Sequence, residues 1–271
     1  MSGETLIRLL MFVISAYLIL CGFALLPKAK PKVRLGILLF LAFSAAAAEI
    51  VFLILRRGLF TVEFFGALFL QVCNLNAFLL PLAVLNKSKF LRHYVFFVQG
   101  MGAIVTFLWM PVRQTGWAFL NAQNLCQWYY HFCALAIPFL QMSVGEFRPE
   151  FKMVFPVLGA LLSYMLLVAF ANQLLLQTGT LELWQTYSYT HYYEEIELLG
   201  LLYMVCPVPL VYLFPIYVLL FPTFYLICGI CRGGERLTAF WKKRRKEECE
   251  NRQKEPMQTE TETDKNVDQS K

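Results

Sequence analysis

Long apolar runs alternate along this chain with short polar stretches, and seven of the runs reach the twenty or so residues a helix needs to cross a bilayer core of about 30 Å. They fall at 5–26, 34–56, 64–86, 91–113, 125–145, 153–175 and 199–231. The pattern predicts an all-α membrane protein, a seven-helix transmembrane bundle over 1–231. The first run contains Arg8 and is followed by KAKPKVR, the wrong charge order and length for a cleaved signal peptide, so it is expected to stay as a helix. Pro207, Pro209, Pro215 and Pro222 crowd the last run and predict a kink or an interruption there. Gly100, Gly102 and Ala103 form a small-residue patch, expected to let the fourth helix approach a neighbour.

Composition agrees with lipid as the solvent. Of 271 residues 58% are hydrophobic and 15% charged, with a mean hydropathy of +0.55, against roughly 25% charged in soluble domains. These values exclude a disordered chain, a collagen-like chain and a disulfide-stapled secreted module. Cys21, Cys73, Cys126, Cys133, Cys206 and Cys228 lie in or beside apolar runs and read as small bundle residues rather than a disulfide framework. The net charge of +6 is concentrated at one end: residues 232–271 hold 11 of the 24 Lys and Arg, including the run Lys242, Lys243, Arg244, Arg245, Lys246. This polar tail reads as disordered and cytoplasmic. Directly after a membrane helix, its basic cluster suits anionic lipid headgroups rather than nucleic acid.

Orientation follows from the basic residues. Twenty of the 24 lie in the first, third and fifth loops and the tail, and four, Arg8, Arg56, Arg57 and Arg113, on the other side. The positive-inside rule therefore puts the N-terminus outside and the C-terminus in the cytoplasm, with LELWQTYSYTHYYEEIE outside. The sequon Asn86-Lys-Ser88 falls on the cytoplasmic face and is expected to be unused.

Polar side chains inside a span are costly, which makes each a candidate for a site. The set is Glu49, Gln71, Cys73, Asn74, Asn76, Gln99, Gln127, His131, Gln141, Asn172 and Gln173, with His131 taken as the one histidine within a span. At about 1.5 Å per residue, Glu49, Cys73 and His131 lie roughly 9–14 Å from the outer boundary, an acid, a thiol and an imidazole at one level. That trio suits nucleophilic chemistry: the thiolate is the reactive form, an adjacent base generates it, and Glu49 would orient the imidazole. The blander possibility is that Cys73 is an inert small hydrophobe and that the polar groups bond neighbouring helices at about 0.6 kcal/mol each. Cys228 and Cys231 are candidate acylation sites, and the tyrosines around His191 form an interfacial belt. No metal-ligand spacing, glycine-rich phosphate loop or serine elbow stands out, so no metal and no cofactor is expected.

The segments QVCNLNAFLLPLAVLNK, QGMGAIVTFLWMP and YYHFCALAIPFLQMSVGEFRP resemble the YwaF-like integral membrane proteins and their eukaryotic relatives, the transmembrane protein 164 family. The resemblance covers roughly residues 35–175, and the 58-residue separation of Cys73 from His131 is similar to that between the family's functional cysteine and histidine. Eukaryotic members read Cys-His-Leu where Asn74 here follows Cys73. The resemblance implies a phospholipid acyltransferase in which Cys73 carries the acyl group and His131 is the base, with membrane phospholipids and lysophospholipids as partners. Asn74, Asn76 or Gln99 would then donate hydrogen bonds to the oxyanion, a contribution of about 2.7–4 kcal/mol per donor. It also implies an endoplasmic reticulum or other endomembrane in a eukaryote, or the plasma membrane in a bacterium. The alternative is a non-enzymatic seven-helix receptor-like or transport protein that binds a small molecule or ion at the polar level. In that case Glu49 and the asparagines matter most, although the chain has no DRY or NPxxY motif.

Overall fold

The computed structural model describes residues 3–109, 121–191 and 197–234, so Arg113 and the basic run at 242–246 lie outside the described residues. The chain divides into two compact units, Met1–Phe224 and Tyr225–Lys271. Of the second, residues 225–234 are described, and they are helical.

The described residues are mainly helical, with no strand among them. In chain order they form α1 (Gly3–Leu25), α2 (Pro31–Arg57), α3 (Val62–Leu70), α4 (Val72–Leu85), α5 (Lys89–Tyr94), a π-helical turn (Val95–Gln99) and α6 (Gly100–Trp109). After residues 110–120 come α7 (Ala122–Ser143), α8 (Val154–Gln177), α9 (Glu197–Val205) and, after a 3-10 turn at Val211–Leu213, α10 (214–234). Local chemistry sets several ends. Pro31 occupies the first position of α2, where its missing N–H costs nothing, and Gly58 closes that helix at φ +78°. Thr61, Ser88 and Asn121 cap α3, α5 and α7 by accepting the N–H of Phe64, Leu91 and Asn124.

Two expected spans are discontinuous. The run at 64–86 is not one helix: α3 and α4 are bent by 64° at Gln71. The last run breaks between α9 and α10, at the segment holding Pro207 and Pro209, because proline lacks the N–H that would continue the ladder. Among the described residues five helices are long and apolar enough to cross a membrane, and the bent pair makes six. This is a multi-pass membrane protein. At 22 residues α7 is long enough as well, but its Gln, Asn, His and Tyr make it too polar to stand in lipid by itself.

That polarity is explained by where α7 sits. It packs mainly against α2, with α1, α4 and α6 around it. The core between them is built on small residues: Ala42 and Ala45 of α2, Ala77 of α4, Ala103 of α6 and Ala134 of α7 are all fully buried, which lets the backbones approach closely. A Cβ added to Gly22 of α1 would strike Leu140 of α7. Of the expected small-residue patch, Ala103 is in this core. A Cβ on Gly100 or Gly102 would meet nothing within 4 Å, so those two are not packing contacts. The outward faces carry Leu20, Phe40, Leu167 and Phe170, all exposed, as lipid-facing positions should be.

Candidate functional site

The break between α3 and α4 is the structural centre of the site. A helix ended in mid-span exposes carbonyls on one side and N–H groups on the other, and apolar surroundings offer them no water. Here side chains supply the partners. The Ala67 carbonyl accepts the Gln71 N–H at 3.2 Å and the Asn74 amide at 3.0 Å. The Phe69 carbonyl accepts the Tyr164 hydroxyl at 2.9 Å, and the Leu70 carbonyl accepts the Ser188 hydroxyl at 2.6 Å. On the far side, the Val72 N–H donates to Ser188 Oγ at 3.1 Å.

Cys73 is therefore the second residue of a fresh helix, not a residue deep within a continuous one. Its own backbone N–H points at its sulfur, and the first turn of α4 presents the positive end of the helix dipole. Its carbonyl accepts the hydroxyl of Tyr130, which in turn accepts the Gln99 amide at 3.0 Å. Gln99 closes the π turn, whose wider pitch shifts the register of the side chains after it. Glu49, on α2, is fully buried; it neighbours Cys73, Tyr130 and Cys126, and no hydrogen bond joins it to His131, whose interactions run to Gln127.

His131 follows Tyr130 on α7, and the two rings meet edge to face with centroids 4.7 Å apart. Its Nδ1 lies 2.8 Å from the Gln127 carbonyl. A carbonyl only accepts, so the ring hydrogen is assigned to Nδ1, and in the neutral ring Nε2 keeps its lone pair. Nε2 is buried with no hydrogen-bond partner. The imidazole and the Cys73 thiol thus share a neighbour in Tyr130 without bonding to each other.

Three more buried oxygens have no partner: Glu49 Oε1, Asn76 Oδ1 and Gln99 Oε1. With His131 Nε2, four acceptor positions on α2, α4, the π turn and α7 stand unsatisfied. Buried polar atoms are nearly always bonded, so each unmet one calls for a partner; three donors, Arg92 Nη2, Trp128 Nε1 and Gln141 Nε2, are unmet as well. Asn74, by contrast, commits its amide to the helix break. Gln71, Asn172 and Gln173 bond the 187–191 segment rather than one another.

Sequence reasoning did not single out Tyr130, within the span 125–145, or Ser188, which lies outside every predicted span. It also missed His93, the fifth residue of the span Lys89–Phe107, so His131 is not the sole histidine within a span. Cys21, Cys73, Cys126, Cys133, Cys206 and Cys228 are free thiols. Among the described residues no group of three or more His, Cys, Asp and Glu comes together as a metal site.

A family model described as the TMEM164 family matches residues 1–230 of the chain. No curated protein and no solved structure gives a match.

Proposed function

The chain belongs to the TMEM164 family, by a match over 230 of its 271 residues, and from that premise we propose that it is a membrane-embedded phospholipid acyltransferase working through a Cys73 thioester. The observation that carries this reading is a free thiol in the first turn of α4, on a residue whose carbonyl accepts the Tyr130 hydroxyl, beside an imidazole whose Nε2 is buried and unspent.

His131 Nε2 takes the proton of the Cys73 thiol, and the sulfur attacks an ester carbonyl of the donor phospholipid. The tetrahedral intermediate collapses to a thioester on Cys73, and the departing lysophospholipid alkoxide takes the proton back from the imidazolium. A second lysophospholipid then binds, gives its hydroxyl proton to Nε2 and attacks the thioester, and the thiolate leaves and is reprotonated. Both half-reactions need Nε2 within reach of sulfur, and such contacts commonly tighten only when substrate is bound. In this reading the first-turn N–H groups of α4 and the Asn76 and Gln99 amides serve the oxyanion.

In this reading α7 completes seven crossings, the N-terminus is outside, and the basic tail lies on anionic headgroups of the cytoplasmic leaflet. The test is to incubate the purified protein in detergent with a phospholipid carrying a tagged acyl chain and to read the intact mass. Wild type should gain a hydroxylamine-labile adduct that Cys73→Ala lacks. An unlabelled wild type whose Cys73 still reacts with an alkylating reagent would overturn the enzyme reading and favour ligand or ion binding at the unsatisfied oxygens around Glu49.

A further inference from the structure

The segment Tyr187–His191 lies more than a hundred residues along the chain from the helix break, yet it is fastened to it on both sides. Ser188 makes three bonds there. Its hydroxyl donates to the Leu70 carbonyl at 2.6 Å and accepts the Val72 N–H at 3.1 Å, while its own N–H donates to Gln71 Oε1 at 2.7 Å. One side chain thus satisfies the last carbonyl of α3 and the first N–H of α4.

The segment is held in turn by α8. Asn172, fully buried, donates to the Tyr187 carbonyl at 2.9 Å and to Thr190 Oγ1 at 2.7 Å, and accepts the Tyr187 N–H at 3.2 Å. The Leu210 N–H reaches the Thr190 carbonyl at 2.8 Å, and the Tyr212 hydroxyl donates to the Tyr189 carbonyl. The Tyr187 phenol occupies the space above Gly66 of α3 where any side chain would fall. The backbone is also forced: Ser188 and Tyr189 both have positive φ, +54° and +56°, in succession and without a glycine. Each such residue costs free energy and persists only where its surroundings over-determine it, which is characteristic of functional positions.

We propose that Tyr187–His191 is a clasp that keeps the α3–α4 break in place, and that Ser188 is a positioning residue for Cys73. The inference rests on the acyltransferase reading for its purpose but not for its geometry. By taking the Val72 N–H, Ser188 fixes the first turn of α4. In that turn the N–H groups of Cys73 and Asn74 are left by helix geometry without intrahelical carbonyls, and the Cys73 N–H meets its own sulfur. Without the clasp, a bent pair in an apolar bundle gains by straightening, since a continuous helix satisfies its own backbone. Straightening would put Cys73 in mid-helix, where no free N–H faces it.

The test separates positioning from plain stability by using two replacements with opposite side effects. Ser188→Gly removes the hydroxyl but suits the positive φ; Ser188→Thr keeps the hydroxyl but strains the backbone. The rate of alkylation at Cys73 by a membrane-permeant maleimide, read by peptide mass, is compared with that at Cys133 and with the melting temperature. Ser188→Gly should melt below wild type, since two backbone groups lose their partner, and should lose about tenfold in rate at Cys73, with Cys133 unchanged. Ser188→Thr should melt lower and keep the Cys73 rate. Gly66→Ala, which displaces the Tyr187 phenol, should behave as Ser188→Gly does. A wild-type rate at Cys73 in both Ser188→Gly and Gly66→Ala, or rates that simply follow the melting temperature across the set, would overturn the clasp. Because alkylation needs no lipid substrate, a protein that takes no acyl label but shows this pattern would sink the acyltransferase reading and leave the clasp standing.

Discussion

All three histidines are buried, and the two that sit within helices, His93 and His131, differ in one respect. Each places Nδ1 on the carbonyl four residues earlier, His93 on Lys89 at 2.6 Å and His131 on Gln127 at 2.8 Å. The other nitrogen separates them. His93 Nε2 accepts the Glu150 N–H at 3.0 Å, its ring lies edge to face with Phe147, and Arg92 beside it donates to the Ala83 and Glu146 carbonyls. That histidine is fully spent, pinning the loop after α7 to the start of α5. His131 keeps Nε2 unsatisfied. A buried imidazole with both nitrogens engaged is a fastener, and one with a lone pair in reserve is available as a base.

The comparison breaks most sharply on activity. His131→Gln keeps polarity and bulk but removes the base, and should lower the rate of acyl-adduct formation by about 10²–10⁴-fold while the melting temperature barely moves. His93→Gln should do the reverse, costing about 2–3 kcal/mol for two lost bonds and the polar atoms they leave unmet, with adduct formation per folded molecule unchanged. Denaturation in detergent and tagged-lipid labelling of the same preparations read both. A destabilised His131→Gln beside an unaffected His93→Gln would invert the assignment.

The smallest effect sharpens the fastener. Glu150 is paired with Lys89 at 3.0 Å and Lys152 at 2.9 Å, and the bonds to Lys152 first and Lys89 next hold its carboxyl down to about 2. Both lysines are largely exposed, so solvent screening limits the contribution to less than about 1 kcal/mol. Its sign is fixed: a depressed carboxylate stabilises the fold fully above its ordinary value of 4.5, and that share is lost as pH falls towards about 2. Stability measured from pH 6 down to pH 2 should therefore fall slightly more in wild type than in Glu150→Gln.

Much of this was legible in sequence and some could not be. The apolar runs gave α1, α2 and α8 nearly to their ends, because lipid imposes a length and a composition on each helix separately. Depth along the helices singled out Glu49, Cys73 and His131 for the same reason. The break at Gln71 left no local mark. The proline of that run, Pro81, stands ten residues further on inside α4, and what stabilises the break is Ser188, from another part of the chain. Asn74 and Gln99 were legible as polar residues in lipid, but not as the cap of a broken helix and the donor to Tyr130, since partner choice belongs to tertiary packing. Tyr130 carried no signal, because an aromatic residue on an amphipathic helix is commonplace until its hydroxyl is seen to bond a backbone carbonyl.

The polarity of α7 bears on how the protein is made. A nascent segment enters the bilayer from the translocon according to its own apolarity, and α7 is poorly suited to do so alone. The helix it packs against most extensively, α2, is synthesised earlier and carries the alanine face that receives it. Insertion of α7 is thus a cooperative event that waits on its partner. Enlarging Ala42 or Ala45 would be felt first during biogenesis, as chains whose α7 fails to enter the membrane, before it was felt at the sulfur of Cys73.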